Sequence, residues 1–185
     1  MGCVKVRALS RGEGAFLATT GGTLVGDTSK FHDVEALVDE IIARRGRSLS
    51  VALPIGIGKA VHIANELMRR AMLGELEQLT FFTALSLGMP APAEDLARRL
   101  MEPIQRRLYE DAPDLAYVRL REMGELPDHV HVHEFYYPPG SLLGNPKAQQ
   151  SYTSVNFTHA IEVLIDLEID VIAQMVAPVS EGVWD

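Results

Sequence analysis

Apolar and polar residues alternate along the chain in blocks that predict strands and helices in turn. Residues 49–53 form a short apolar run typical of a strand, and Gly56 and Gly58 mark a turn after it. From 59 to 73 apolar residues recur at helical spacing, and Gly74 predicts the end of that helix. Because the strand is apolar on both faces, we expect it to lie in a parallel sheet covered by helices on each side.

The same patterns predict the other elements. Helices are expected over 30–45, 93–109 and 156–168, and strands over 77–87, 130–135, 152–155 and 169–176, with two short strands inside 15–26. Asp27, Thr28 or Ser29 can cap the helix over 30–45, and Pro103 is expected to interrupt the helix over 93–109. Strands and helices therefore alternate, which predicts an α/β fold with an open, mostly parallel sheet flanked by helices, in a single domain over 1–185.

The predicted helix over 93–109 carries an apolar stripe at four-residue intervals. The stripe consists of Leu96, Leu100, Ile104 and Leu108.

Composition narrows the classes of partner. The chain has 185 residues, 47% of them hydrophobic, and a formal net charge of −8, which argues against a nucleic-acid-binding surface. No apolar run approaches the roughly 18 residues that a membrane span needs, so we expect no membrane association. Cys3 is the single cysteine, which excludes an internal disulfide and favours the cytoplasm.

The turn at Gly56, Gly58 and Lys59 is the first candidate site. A strand, a glycine turn and a helix start bring backbone N–H groups and a positive helix end together, as sites for a phosphate or an oxyanion do. The spacing fits neither a dinucleotide fingerprint, whose third glycine would fall at Val61, nor a phosphate-binding P-loop. A lysine opposes the dipole of a helix start, which favours a ligand-facing role, and a merely solvent-facing lysine remains the alternative.

Two further polar groups are candidates. Asn156, Thr158 and His159 stand at a predicted strand-to-helix junction, where open α/β sheets place ligands, although Asn156 acting only as a helix cap explains them equally well. In the run 129–133, three histidines alternate with valine and would share one strand face. A half-exposed polar strand face is the favoured interpretation there, and a zinc site is the weaker one.

Three segments of the chain resemble one known family. LPIGIGKAVHIANELMRRA, FFTALSLGMP and EFYYPPGSLLGNPKAQQSYTSVNFTHAIEVL are similar to the acetyl-CoA hydrolase/transferase family, and the likeness covers most of 45–176. The resemblance implies a NagB/RpiA/CoA-transferase-like fold in which two similar halves form the active site. A glutamate from the C-terminal half attacks an acyl-CoA thioester and forms an acyl-glutamyl anhydride. A glutamyl-CoA thioester follows, from which coenzyme A is transferred to a carboxylate acceptor or released by water.

The likeness extends to the N-terminal half alone, which defines the expected role of this chain. It implies that Gly56, Gly58 and Lys59 lie in a substrate loop, whereas no glutamate here occupies a matching nucleophile motif. We therefore expect an N-terminal domain that binds coenzyme A as a substrate, needs no other cofactor and works with a C-terminal CoA-transferase half, with a homo-oligomer possible. The segment 178–182 departs from the family's Pro-Pro-Asp-type loop.

Two alternatives remain open at this point. One is a non-catalytic α/β binding or assembly domain, and the weaker one is a metal-dependent hydrolase that uses the 129–133 histidines.

Overall fold

A six-stranded sheet runs through the computed structural model of the chain, which describes residues 3–8, 16–18, 33–88, 94–109, 113–176, 178–180 and 183–184. In chain order its strands are β1 (Cys3–Ala8), β2 (Phe16–Ala18), β3 (Ser48–Ala52), β4 (Gln78–Thr83), β5 (Val130–Glu134) and β6 (Val171–Val176). They lie in the order β2-β1-β6-β3-β4-β5. Strands β6, β3, β4 and β5 are parallel, and β1 and β2 add an antiparallel edge. The predicted α/β fold with an open, mostly parallel sheet is confirmed.

Helices flank this sheet. They are α1 (Val34–Arg45), α2 (Val61–Met72), α3 (Asp95–Tyr109), α4 (Ala116–Met123), α5 (Pro146–Gln150) and α6 (Ala160–Asp166), and β7 (Pro178–Ser180) and β8 (Val183–Trp184) form a separate antiparallel pair. Helices α1, α2 and α4 share a core with one face of the sheet, and α6 packs against the other. None of the helices in the described ranges is long and apolar enough to cross a membrane.

The main core lies between the sheet and α1, α2 and α4. Leu49 and Val51 of β3 point into it, as do Phe81 of β4 and Val132 of β5, because alternate residues of a strand face the same side. Helix α2 contributes a continuous buried face, in which Leu67 is fully buried. Apolar burial of this kind contributes about 1.5–3 kcal/mol for each large side chain.

The opposite face of the sheet is covered along only part of its length. Near the carboxyl ends, Ala52 and Phe82 pack against α6. Further back, Ser50, Thr80 and His131 form a polar row across β3, β4 and β5. This row lines an open groove of about 520 Å³ together with residues of the α6–β6 connection. The expectation that helices cover both faces therefore holds fully for one face only.

Several predicted boundaries are wrong. Helix α1 begins at Val34 rather than 30, since Asp33 caps it by accepting hydrogen bonds from Glu35 N and Ala36 N, and the expected caps Asp27, Thr28 and Ser29 lie outside the described residues. Pro103 does not interrupt α3, which is continuous. Because this stretch is exposed, water can bind the carbonyl oxygen that proline leaves without a donor.

Other predicted elements also differ from the structure. Strand β1 and the short helices α4 and α5 were not predicted, and the expected strand over 152–155 is a single bridge between Glu134 and Tyr152. Three residues of the α3 stripe are exposed, Leu96 at 80%, Leu100 at 68% and Ile104 at 45%. The second short strand expected within 15–26 falls outside the described residues.

The packing of α2 gives a first prediction. Leu67→Ala removes a fully buried side chain and is expected to lower the free energy of unfolding by about 2–5 kcal/mol. The matched control is Leu73→Ala, at a residue 60% exposed, where a change within about 0.5 kcal/mol is expected. Urea unfolding followed by circular dichroism measures both, and equal losses would contradict the described core.

Candidate functional site

The loops that leave β3, β4 and β5 meet at the carboxyl edge of the sheet. Because these strands are parallel, their carboxyl ends lie side by side, as in the ligand sites of open α/β sheets. Buried polar residues occupy this edge, and we call five of them the carboxyl-edge cluster. They are Lys59, Ser86, Tyr117, Arg121 and Glu134.

The loop after β3 approaches this edge as a single 3₁₀ turn, Gly56–Gly58. Gly56 has φ +63°, a conformation that L side chains rarely adopt, so glycine is needed there. Lys59 is extended, and its backbone pairs with Gln174 of β6, so α2 begins two residues later than predicted, at Val61. The glycine turn and the helix start are thus separated by an extended residue rather than continuous.

The side chain of Lys59 points into the protein. The residue is 1% exposed, and its Nζ donates hydrogen bonds to the carbonyl oxygens of Pro54 at 2.6 Å and Ala84 at 2.7 Å. The ammonium group therefore ties the loop after β3 to the loop after β4. Burial lowers the pKa of Lys59 to about 8, partly offset by the nearby Glu134 carboxylate and reinforced by Arg121.

Glu134, the last residue of β5, is completely buried and accepts two hydrogen bonds. Oε1 accepts from the backbone N–H of Ser86 at 2.5 Å, and Oε2 accepts from Nη1 of Arg121 at 2.7 Å. The Arg121 side chain is 4% exposed, so this is a buried ion pair. The pair joins the end of β5 to α4 and to the loop after β4.

Two tyrosines surround the ion pair. The hydroxyl of Tyr117 lies 2.7 Å from Ser86 Oγ, and burial raises the pKa of Tyr117 well above its usual value. The Arg121 guanidinium lies 5.3 Å from the ring centre of Tyr137, a cation–π contact. Burial raises the pKa of Tyr137 to about 12. Both phenols are thus neutral at physiological pH.

The backbone of Glu134 extends the same connections to the segment that precedes α6. Glu134 N donates to Ser151 O at 3.3 Å, and Thr153 N donates to Glu134 O at 3.1 Å. The cluster thereby links the three loops after β3, β4 and β5 with the strand-like segment near Tyr152.

Asn156, Thr158 and His159 lie in the next few residues and are exposed. Asn156 Oδ1 accepts from His159 N at 3.2 Å, so it caps the turn before α6, which starts at Ala160. Between them, Phe157 packs edge-on against Phe135, whose ring stacks on Phe82. In the described part of the chain, no hydrogen bond or ion pair joins these residues to Gly56, Gly58 or Lys59. The structure thus places both predicted groups on loops near strand ends without bringing them into polar contact.

The three histidines of 129–133 do not share one face. His129 lies before β5, and its Nε2 is 3.1 Å from Ala71 O of α2, on the side of the main core. His131 and His133 face the open groove, and burial, with a smaller effect of His131, lowers the pKa of His133. In the ranges described, no group of three or more His, Cys, Asp and Glu side chains is arranged to hold a metal ion.

Glu134, Arg121, Ser86 and Tyr117 were not identified from the sequence. Glu134 carried a usable signal, because it is in phase with Val130 and Val132 on the buried face of β5. A carboxylate at such a position requires a buried partner. Nothing local in the sequence identifies Arg121 as that partner, since its neighbours Arg119 and Glu122 on α4 are exposed.

Chemically, the cluster supports the edge rather than reacting at it. Both oxygens of Glu134 are engaged, and the Lys59 ammonium is held by two carbonyl groups. Above the cluster, the loops expose large apolar side chains, of which Ile57 at 89% is the most exposed. The arrangement fixes the loop backbone at the carboxyl edge, and in the described residues it offers no unengaged buried nucleophile.

No family model, no curated protein and no solved structure matches this chain.

The buried ion pair yields a second prediction. Glu134→Gln leaves the Arg121 guanidinium buried without its counter-charge, and we expect a loss of about 3–5 kcal/mol in the free energy of unfolding. Glu77→Gln is the control, because the side chain of Glu77 is 64% exposed, and a change below about 0.5 kcal/mol is expected. Equal stability of the two variants in urea would show that the pair is not a buried constraint.

The lowered pKa of Lys59 yields a third prediction. Between its folded value of about 8 and its ordinary value of 10.5, the unfolded chain holds a proton that the folded protein has released. The free energy of unfolding should therefore rise with pH, by about 1–2 kcal/mol between pH 8 and 9.5, relative to Lys59→Met. Parallel urea titrations measure this difference, in which the tyrosine contributions cancel. Identical pH profiles would contradict the burial of a titrating ammonium group.

Proposed function

We propose that this chain is the N-terminal domain of an acyl-CoA hydrolase or CoA-transferase, with acetyl-CoA as the simplest substrate. In this role it binds the coenzyme A thioester at the carboxyl edge of its sheet. Backbone donors of the loop carrying Gly56 and Gly58 stabilise negative charge on the thioester oxygen or on a phosphate. Such a domain has the NagB/RpiA/CoA-transferase-like form of α/β fold.

One observation carries this proposal. The three segments that resemble the family are far apart in the sequence, yet their loops are joined by one buried set of hydrogen bonds. Lys59 from the first segment binds Ala84 O of the second, and Glu134 from the third binds Ser86 N of the second. Motifs that serve one substrate are expected to meet at one edge of a sheet, and the neighbouring parallel strands β3, β4 and β5 bring these three together there.

Each part of the edge then has a role. Lys59 is a positioning residue, because its ammonium group fixes the two loops from below and does not face solvent. Asn156, Thr158 and His159 are exposed in the segment just before α6 and are available to the polar parts of the substrate. We assign the nucleophilic glutamate to a C-terminal half, because no glutamate of this chain occupies a motif that matches the family's nucleophile and the buried Glu134 is fully engaged.

A non-catalytic assembly domain is the second candidate, and the exposed apolar side chains at the edge favour it. Ile57 is 89% exposed and Phe157 is 67% exposed. Large apolar groups in such positions often mark a surface that another protein covers. Binding of coenzyme A separates the two candidates, because an assembly surface has no need of it.

The proposal is tested by calorimetric titration of the chain with acetyl-CoA and with coenzyme A. Ile57→Asp places a carboxylate on the substrate loop without disturbing the core, and it should repel the phosphates of coenzyme A, weakening binding about tenfold or more. Leu73→Asp, at a residue 60% exposed beyond the far end of α2, is the matched control and should bind as the unmodified chain does.

Turnover provides the complementary measurement. The chain alone should not hydrolyse acetyl-CoA, and activity should appear when a C-terminal CoA-transferase half is supplied as a separate polypeptide. Rapid hydrolysis by the chain alone would overturn the assignment of the nucleophile to the other half. Absence of binding heat with both ligands, from a folded protein, would favour the assembly domain.

A further inference from the structure

We propose that helix α3 of one copy of the chain docks on helix α6 of a second copy. Each helix has a row of exposed apolar side chains, and the proposal concerns self-association rather than the binding of coenzyme A. The exposed residues of the α3 stripe are Leu96, Leu100 and Ile104. Phe157, in the turn before α6, forms a similar row with Ile161 and Ile165 of the helix, and we call these three residues the α6 stripe.

The two stripes match each other in length and spacing. Both place a large apolar side chain at every fourth position over the same length of chain, so each row runs along one side of successive turns. Leu96 and Leu100 are 80% and 68% exposed, and Ile161 and Ile165 are 58% and 68% exposed. Neither stripe is therefore covered by the other within one chain. Exposed apolar rows of this kind are typical of surfaces that another protein covers.

Charges of opposite sign accompany the two stripes. Helix α3 carries four arginines and two carboxylates, which give it a net charge of +2, and all six side chains are exposed. They are Arg98, Arg99, Arg106 and Arg107, with Asp95 and Glu102. Helix α6 carries Glu162 and Asp166 and no basic residue. Pairing of α3 with α6 thus brings opposite net charges together, whereas pairing of α3 with a second α3 brings like net charges together.

Helical geometry defines one register in which both the stripes and the charges meet. When the two helices run parallel with Leu100 opposite Ile161, the other exposed residues of the stripes also lie in pairs. Arg106 is six residues after Leu100 and Asp166 is five residues after Ile161, so the two charged side chains lie at nearly the same height along the helix axes. Because successive residues are about 100° apart around a helix, these two side chains also lie on the facing flanks of the stripes.

The partner that Arg106 has in its own helix does not prevent this pairing. Its Nη2 lies 3.6 Å from Oε1 of Glu102, and the two side chains are 70% and 61% exposed. A surface ion pair of this kind contributes about 0–1 kcal/mol, so exchanging Glu102 for Asp166 of a second copy costs little.

The open groove on this side of the sheet extends the acidic character of the α6 surface. Asp166 lines the groove together with Glu168 and Asp170, and the described residues that line it include no lysine or arginine. In the sequence, no lysine or arginine follows Lys147. An arginine of a second copy that reaches Asp166 therefore also approaches further carboxylates.

Two-fold symmetry makes the contact reciprocal. Each copy carries both stripes, so in a symmetric dimer α3 of either copy docks on α6 of the other. Apolar burial supplies most of the affinity, because exposed ion pairs contribute little, and the charges determine which helix is recognised. We therefore expect a reversible dimer whose formation requires both helices.

Sedimentation velocity over a series of protein concentrations measures this association. The sedimentation coefficient of the chain should rise from that of a monomer to that of a dimer. Leu100→Asp and Ile165→Asp each place a charge at an exposed position of one stripe, and each should raise the Kd of the dimer about tenfold or more. Leu73→Asp, at a residue that is 60% exposed and belongs to neither stripe, is the matched control and should leave the Kd unchanged. Circular dichroism verifies that each variant keeps its helix content.

An exchange of charges tests whether α3 pairs with α6. Arg106→Glu alone and Asp166→Arg alone each place like charges opposite one another, and each should raise the Kd about fivefold. The chain that carries both substitutions has an opposite pair again, so its Kd should return to within about twofold of the unmodified value. Glu122→Arg reverses an exposed charge on α4 and is the matched control, with no expected effect.

Three outcomes would overturn the proposal. The first is a chain that stays monomeric at every concentration, and binding of that monomer to phosphatidylserine vesicles through Leu100 would assign the α3 stripe to a membrane surface instead. The second is a dimer that Leu100→Asp weakens and Ile165→Asp does not, because α3 then pairs with itself. The third is a doubly substituted chain whose Kd does not recover. None of these results bears on the substrate loops, because coenzyme A binding is measured separately with Ile57→Asp, at a residue outside both stripes.

Discussion

The burial of Lys59, Arg121 and Glu134 is the constraint on which the rest of the carboxyl edge depends. Removing such charges from water costs several kcal/mol for each ion, so every one of them must find partners inside the protein. The partners of Lys59 and Glu134 are backbone groups on the loops after β3 and β4, and the partner of Arg121 is Glu134 itself. A loop that moved would leave a buried charge unpaired. The shape of the edge is therefore fixed by electrostatics as much as by apolar packing.

This constraint also explains which parts of the fold were predictable from the sequence. Apolar periodicity is a local property, and it located β3, β4, β5, β6, α1 and α2 to within a few residues. Apolar periodicity did not predict the elements whose formation depends on distant partners. Strand β1 forms by pairing with β6 at the other end of the chain, and α5 begins where Asn145 caps Ala148 N while also donating to Arg121 O. The apolar stripe of α3 has helical spacing but is exposed, because periodicity predicts a helix and not what covers it.

The candidate site divides in the same way. A turn at Gly56 and Gly58 was predictable because the two glycines are visible in the sequence. The positive φ of Gly56 confirms that this position requires glycine. The direction of the Lys59 side chain was not, since it is decided by Ala84 O, 25 residues away. The predicted effect of the helix dipole on Lys59 required α2 to begin at this residue. Lys59 instead forms a bridge to Gln174, and α2 begins at Val61. Glu134 is the opposite case. Its position in phase with Val130 and Val132 is visible in the sequence, whereas its partner Arg121 is identified only by the folded structure.

The charge balance of the cluster has a consequence for ligands at the edge. Two buried cations face one buried carboxylate, so the cluster carries an excess positive charge whenever Lys59 is protonated. With a pKa of about 8, that is its predominant state at neutral pH. A buried charge is screened far less by salt than a surface charge is. The local field at the loops can therefore attract an anionic substrate although the protein as a whole carries −8. In the proposed function, the buried lysine therefore acts through its position and its field, and the loop backbone makes the direct contact with the substrate.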